Sequence, residues 1–176
     1  AKARDVLERT LAIYERAYGR DHVNVATTLS NLGAAHIDLG DYAKARGVLE
    51  RALAIQERAY GRDHAQVATT LTNLGTAYND LGDHAKARDV LERALAIDER
   101  AYGRDHPNVA ITLGNLGNAY GDLGDQAKKR DFLERARLIK NCKKLEERRG
   151  MLERALAINE RAYGRDHAEV VGTLND

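Results

Sequence analysis

Several residue types that build catalytic sites and covalent cross-links are rare in this sequence. It has one cysteine, one serine and no tryptophan. A single cysteine excludes a disulfide within the chain, and a single serine without a base at a characteristic spacing is a weak candidate for a catalytic nucleophile. The glycines follow no phosphate-binding pattern. We therefore expect no enzymatic activity and no bound cofactor.

Charge and hydrophobicity argue against two further classes of protein. The formal net charge of +1 at pH 7 gives no general attraction to nucleic acid or to an anionic membrane. No apolar run is long enough to cross a bilayer, and the first residues, AKARDVLERT, are typical of an amphipathic helix rather than of a signal sequence. We therefore expect a soluble, cytoplasmic protein whose partner is neither nucleic acid nor a membrane.

What the sequence does contain is a repeat of 42 residues. Residues 85–126 differ from residues 43–84 at nine positions, and residues 1–42 differ from them at ten. A period of this size indicates stacked units, each of which needs its neighbour to bury its apolar face. The unpaired ends favour a fragment of a longer array.

Each repeat has the apolar period of two helices. Val25, Leu29, Leu32 and His36 fall on one stripe of a first helix, called helix A. Gly40 and Asp41 then end helix A and begin helix B, which is predicted from about Tyr42 to Tyr60. Pairs of antiparallel helices with short connectors make an all-α fold, an α-solenoid.

Nine positions between 29 and 52 carry the pattern of the repeat: Leu29, Leu32, Gly33, His36, Gly40, Tyr42, Ala45, Leu49 and Ala52. This pattern resembles that of tetratricopeptide repeats, and the period with its YGRDHP-like connector resembles the kinesin-light-chain type. The resemblance places small residues where two helices cross closely and large ones where they interdigitate. It implies a superhelical binding scaffold without chemistry of its own.

The connectors contain four of the six histidines: His22, His64, His106 and His167. Their place at the entry to helix A predicts a role in forming the turn and capping the helix. A zinc site needs three or four ligands that converge on one point, and connectors one repeat apart do not obviously converge. We expect no bound metal.

The predicted organisation is one array over residues 1–176. It has helix B of a first repeat at 1–18, helix pairs at 24–60, 66–102 and 108–139, an irregular junction at 140–150, an extra helix B at 151–163 and a partial helix A at 167–176.

The predicted binding surface is the concave groove of the A helices. An asparagine recurs there in each repeat, and its amide can bond to the backbone of an extended peptide. The resemblance implies the same role, because the equivalent asparagines in that family hold peptide main chain. Alternatively, the asparagines are copies of one ancestral residue or bond between adjacent helices. The candidate groove residues are Thr27, Ser30, Asn31, Asp38, Thr69, Thr72, Asn73, Asp80, Asn115, Asn118 and Asp122.

Residues 126–163 depart from the repeat, since two helix-B segments follow each other without a helix A between them. Apolar residues keep helical spacing from 138 to 156, which favours one continuous helix, and a hairpin turning at 140–142 is the alternative. Residues 128–149 contain ten Lys or Arg and four Asp or Glu, but without interleaved aromatic residues we expect solvated surface there rather than a nucleic-acid site.

The continuous helix predicts a homodimer, because its second half would expose leucines that pairing with a second copy removes from water. The candidate interface residues are Leu145, Leu152 and Leu156. Two functions stay open at this point. The chain is either a protein-interaction scaffold for an extended peptide or partner protein, or a structural array that self-associates through unpaired helices.

Overall fold

A computed structural model describes residues 2–163, and in this range the chain forms seven α-helices and no strand. Helices account for 87% of it, which confirms the prediction of an all-α solenoid. The helices are α1 (Lys2–Tyr18), α2 (Val23–Asp38), α3 (Tyr42–Tyr60), α4 (Ala65–Asp80), α5 (His84–Tyr102), α6 (Pro107–Asp122) and α7 (Gln126–Tyr163).

The chain divides into two compact units, whereas the sequence predicted a single array. The first unit is Ala1–Ala136 and the second is Arg137–Asp176, so the boundary falls within α7. In the first unit α2, α4 and α6 are the A helices and α1, α3 and α5 are B helices. The predicted partial helix A at 167–176 lies outside the described residues.

Glycines and histidines shape the connectors between repeats. Gly61 has φ +88° at the end of α3, a conformation that a residue without a Cβ adopts without strain. His64 is the N-cap of α4, where its Nδ1 accepts a hydrogen bond from the Gln66 amide at 3.2 Å and its ring stacks on Tyr60. His22 and His106 cap α2 and α6 in the same way. The predicted capping role is confirmed for these three histidines.

Each helix pair is held together by a close approach of helix A to helix B. A Cβ built on Gly33 would lie under 3.0 Å from the side chain of Leu49, and the same is true of Gly75 and Leu91. Leu49 and Leu91 are fully buried. The missing Cβ is therefore what lets each leucine enter the surface of the facing helix.

Buried residues between the helices form clusters that pass from one repeat to the next. The largest contains Leu49, Leu74, Leu91 and Leu116, which belong to α3, α4, α5 and α6 in turn. Since each cluster draws on more than one repeat, a single repeat could not bury this surface alone.

Tyrosines near the ends of two A helices reach back to a B helix of the preceding repeat. The Tyr78 hydroxyl donates to Glu50 Oε1 at 2.8 Å, and the Tyr120 hydroxyl donates to Glu92. Burial, followed by the hydrogen bond to Glu50, raises the pKa of Tyr78 to about 12. The phenol therefore stays protonated and remains a donor at physiological pH.

An arginine on helix B ties successive repeats together. Arg93 Nη1 donates to Glu57 Oε1, and its Nη2 donates to the Arg62 carbonyl in the connector. Arg51 makes the equivalent contacts with Glu15 and the Arg20 carbonyl. One half-buried guanidinium thus fixes both the neighbouring helix B and the connector between repeats.

Helix α7 is continuous from Gln126 to Tyr163, as the sequence favoured. The prediction of an irregular junction at 140–150 was wrong, because the backbone is helical through these residues. Gly150 does not interrupt it, since an interior glycine costs a helix only about 1 kcal/mol.

The contact between helices A and B predicts opposite effects for two glycine substitutions. Gly75→Ala should destabilise the chain by about 1–3 kcal/mol, because the added methyl group overlaps the buried Leu91. Gly47→Ala should stabilise it by about 0.5–1 kcal/mol, because Gly47 lies inside α3 with nothing within 4 Å of an added Cβ. Urea denaturation of both variants measures the difference. Equal urea midpoints for the two variants would show that the close approach of helix A to helix B does not require a glycine at position 75.

Candidate functional site

The three A helices lie side by side. Helix α4 contacts both α2 and α6, so the A helices of successive repeats form one layer. The predicted groove residues belong to this layer, and the structure divides them into side chains that are already bonded within the protein and side chains that are not.

The asparagine column contains both kinds. Asn31 is exposed and Asn73 is half-buried. Neither side-chain amide has a hydrogen-bond partner among the groups that the structure describes. Asn115 is half-buried, and its Nδ2 donates to Thr76 Oγ1 at 2.8 Å. Its backbone carbonyl accepts from Asn79 Nδ2 at 3.0 Å. Two of the three amides thus have their donor and acceptor available, and the third bonds to the neighbouring helix.

Two predicted hydroxyls are used between helices. The Ser30 hydroxyl shares a hydrogen bond with Thr70, and the Thr72 hydroxyl shares one with Thr112 at 3.0 Å. Ser30 and Thr72 are about nine-tenths buried. This burial argues against a direct role for Ser30 in binding, whereas Thr72 also lines a cleft described below.

The remaining candidates lie on the surface of the A layer. Two of the three aspartates face the first residue of a helix B. Asp122 Oδ2 is 3.5 Å from His84 Nδ1, and Asp80 raises the pKa of the Tyr42 phenol, chiefly through the charge of its carboxylate. The exposed candidates are Thr27, Asp38, Thr69, Asp80, Asn118 and Asp122.

A cleft of about 100 Å³ opens between α4, α5 and α6. Three of the residues that line it were among the candidate groove residues, and four were not: Asp98, Asn108, Ile111 and Thr112. The lining residues are Thr69, Thr72, Asn73, Asp98, Asn108, Ile111 and Thr112.

Asp98 is the most unusual of these residues. Its side chain is 2% exposed, Oδ2 accepts from the Thr112 hydroxyl at 3.1 Å, and Oδ1 has no hydrogen-bond partner. Burial raises the pKa of the Asp98 carboxyl, and the hydrogen bond from Thr112 and the charge of His106 oppose that rise. The cleft therefore holds a buried acid with one unused acceptor.

The signal that could have revealed Asp98 is a difference between the repeats. The equivalent residue of the preceding repeat is Gln56, which is 3% exposed and accepts from the Thr70 hydroxyl at 2.7 Å. The two repeats therefore place a polar side chain at the same depth with the same type of donor. Only the second places a titratable acid there.

Among the side chains that the structure describes, no group of three or more His, Cys, Asp or Glu is arranged to hold a metal ion. No helix in the described part of the chain is both long enough and apolar enough to cross a membrane.

The models of one protein family match most of the chain. A model described as tetratricopeptide repeat matches residues 1–58, 25–100 and 67–141, and a second model with the same description matches residues 136–169. No curated protein sequence has a significant match to the chain.

Several solved structures have a similar fold. The chain is 31% identical to BtubC (BKLC) from P. vanneervenii, with a TM-score of 0.70 over 81% of this chain and 57% of that one. Two crystal structures of a putative kinesin light chain of P. anserina, with nearly identical TPR-like repeats, have TM-scores of 0.64 and 0.61. Their identities are 24% and 25%, over 81% and 79% of this chain and 68% and 66% of those chains. The chain thus spans little more than half of the first structure and about two thirds of the other two.

The buried carboxyl predicts a pH-dependent loss of stability. Because the pKa of Asp98 is raised in the folded state, that state binds more protons than the unfolded chain, and its stability falls as pH rises through the interval between the two values. Asp98→Asn should therefore stabilise the chain at pH 7, by about 1 kcal/mol. The gain should vanish below about pH 3.5, where the unfolded carboxyl is also protonated.

Thermal unfolding across this pH range measures the effect. Asp89→Asn, on the exposed side of the same helix, is the matched control and should bring no such gain. A stabilisation by Asp98→Asn that is equal at low and neutral pH would show that the carboxyl charge is not its cause.

Proposed function

Since the chain belongs to the tetratricopeptide repeat family and has repeats of the kinesin-light-chain type, we propose that it is a binding scaffold whose A helices hold an extended peptide. Repeats of this family typically mediate protein interactions and are generally not enzymatic. The proposed partner is therefore a protein segment rather than a substrate, a nucleic acid or a membrane.

The observation that carries this proposal is the pair of unpartnered amides on the A layer. Asn31 and Asn73 occupy equivalent positions on α2 and α4, and neither amide bonds to the protein within the described residues. Each primary amide offers a donor and an acceptor, the pair of groups that a peptide unit also presents. Bonds from both asparagines would fix a peptide main chain without demanding particular side chains.

The spacing of the A helices suits an extended ligand. Packed helices lie roughly 8–10 Å apart, and an extended chain advances about 3.3 Å per residue. Equivalent asparagines on neighbouring A helices would therefore meet peptide groups about three residues apart. A peptide running across α2, α4 and α6 would need about seven residues.

The Asn31→Ala, Asn73→Ala double variant should bind peptides more weakly. Dodecapeptides selected from a random library against the unchanged protein serve as probes. Each lost hydrogen bond contributes about 0.5–1.5 kcal/mol, so we expect the dissociation constant to rise roughly tenfold or more. Fluorescence anisotropy of the labelled peptides measures the change.

Gln66→Ala is the control, since Gln66 is an exposed amide at the start of α4. It should leave the affinity unchanged. Equal affinity for the double variant and the unchanged protein, with both folded, would rule out these asparagines as the peptide contacts.

A second candidate function, self-association, is favoured by the surface of α7 beyond residue 136. Leu138, Leu145, Met151 and Ile158 are each more than half exposed. Leu152 and Leu156, which were also predicted at a dimer interface, are half-buried. Burying one such exposed side chain is worth about 1.5–3 kcal/mol, so pairing of two copies along this helix would be favourable.

Leu145→Glu tests this second candidate. Leu145 is 66% exposed, so a charge there should leave the helix intact and disrupt a dimer. We expect light scattering to show a dimer for the unchanged protein and a monomer for the variant, with the neighbouring Lys144→Glu as the control. A monomeric unchanged protein at tens of micromolar would contradict this function.

A further inference from the structure

We propose that the cleft between α4, α5 and α6 binds the ammonium group of a lysine side chain carried by the peptide, with Asp98 as its counter-ion. This inference rests on the peptide-binding function proposed above and adds a side-chain specificity to it. Contacts of the Asn31 and Asn73 side chains with the peptide main chain would by themselves give no side-chain specificity.

The first argument is the unmatched acceptor. Asp98 lines the cleft, its side chain is 2% exposed, and its Oδ1 has no hydrogen-bond partner. Among the side chains that the structure describes, no cation forms an ion pair with it. His106, whose charge acts on this carboxyl, uses its Nδ1 to accept the amide N–H of Asn108. A buried carboxylate without a counter-ion is costly. A cation supplied by a ligand would therefore bind favourably.

The second argument concerns the kind of cation. Oδ2 of Asp98 already accepts from Thr112, so Oδ1 is the oxygen with no hydrogen bond, and a bidentate guanidinium would have to share Oδ2 with that hydroxyl. An ammonium is a compact charge with three donors, and it can combine one carboxylate oxygen with separate single acceptors. The hydroxyl of Thr69 supplies such an acceptor on the α4 side of the cleft. The chemistry favours lysine over arginine.

The third argument is the wall of the cleft. Ile111 lines it and is 53% exposed, whereas the equivalent residues Thr27 and Thr69 are polar. An apolar side chain next to a buried charge matches the methylene stem and charged end of lysine. The volume of about 100 Å³ exceeds what one water molecule needs, so the ammonium can enter with adjoining methylene groups.

The repeats themselves indicate that the acid is not needed for packing. Gln56 fills the equivalent position as a neutral amide, at the same depth and with the same kind of threonine donor. Of the nine positions at which residues 85–126 differ from residues 43–84, three line this cleft: Asp98, Asn108 and Ile111. A third of the differences between these two copies of the repeat therefore fall on residues that line the proposed lysine subsite.

Selection from a random dodecapeptide library tests the proposal. Peptides bound by the unchanged protein should be enriched in lysine at one position. Replacing that lysine by norleucine should weaken binding roughly tenfold or more, because it removes a hydrogen bond between charged groups. The same replacement should have less than about a twofold effect on Asp98→Asn and on Asp98→Gln, which copies the residue natural to the preceding repeat.

The outcomes separate this inference from the function on which it rests. If peptides bind without a lysine preference, or if the preference survives in Asp98→Asn, the lysine subsite is wrong and the peptide groove stands. If no peptide binds, both are wrong. If n-butylammonium alone binds as tightly as the lysine peptide, measured from the ¹³C signal of the Asp98 carboxyl, the site is one for a free amine and the proposal fails.

Discussion

The contact between a glycine of helix A and a leucine of helix B sets the geometry of the array. Leu49 and Leu91 fill the space that a Cβ on Gly33 or Gly75 would occupy. These glycine–leucine contacts and the apolar clusters beside them occupy the apolar side of each A helix. The polar positions that remain therefore lie on the other side of the helix. The surface proposed to bind a peptide is thus a consequence of the way the helices pack.

Polar contacts link that surface to the layer beneath it. In each of two repeats a threonine hydroxyl on helix A bonds to a buried side chain of the preceding helix B, which is Gln56 in one case and Asp98 in the other. The side-chain amide of Gln56 accepts this hydrogen bond without carrying a charge. The carboxylate adds a destabilising charge and an unused acceptor, the kind of stability cost that is accepted at binding sites. This difference separates a structural contact from a proposed recognition site at one position of the repeat.

The period of the sequence was sufficient to predict the helices, the glycine turns and the histidine caps, because these depend on local residue patterns. It also located Asn31, Asn73 and Asn115 on one layer. It did not reveal that Asn115 bonds to Thr76, because that contact depends on side-chain positions in the neighbouring repeat. Asp98 was missed because the search covered the surface of the A helices, whereas this acid lies on the buried side of a B helix.

The central claim is that the A layer, rather than the B helices or α7, is the binding surface. The most direct test is an NMR titration of ¹⁵N-labelled protein with a peptide selected from a random library. The account predicts the largest changes at the side-chain amides of Asn31 and Asn73 and at the backbone amides of Thr69 and Ile111. Changes concentrated on the exposed faces of α3 and α5, with these signals unmoved, would contradict it.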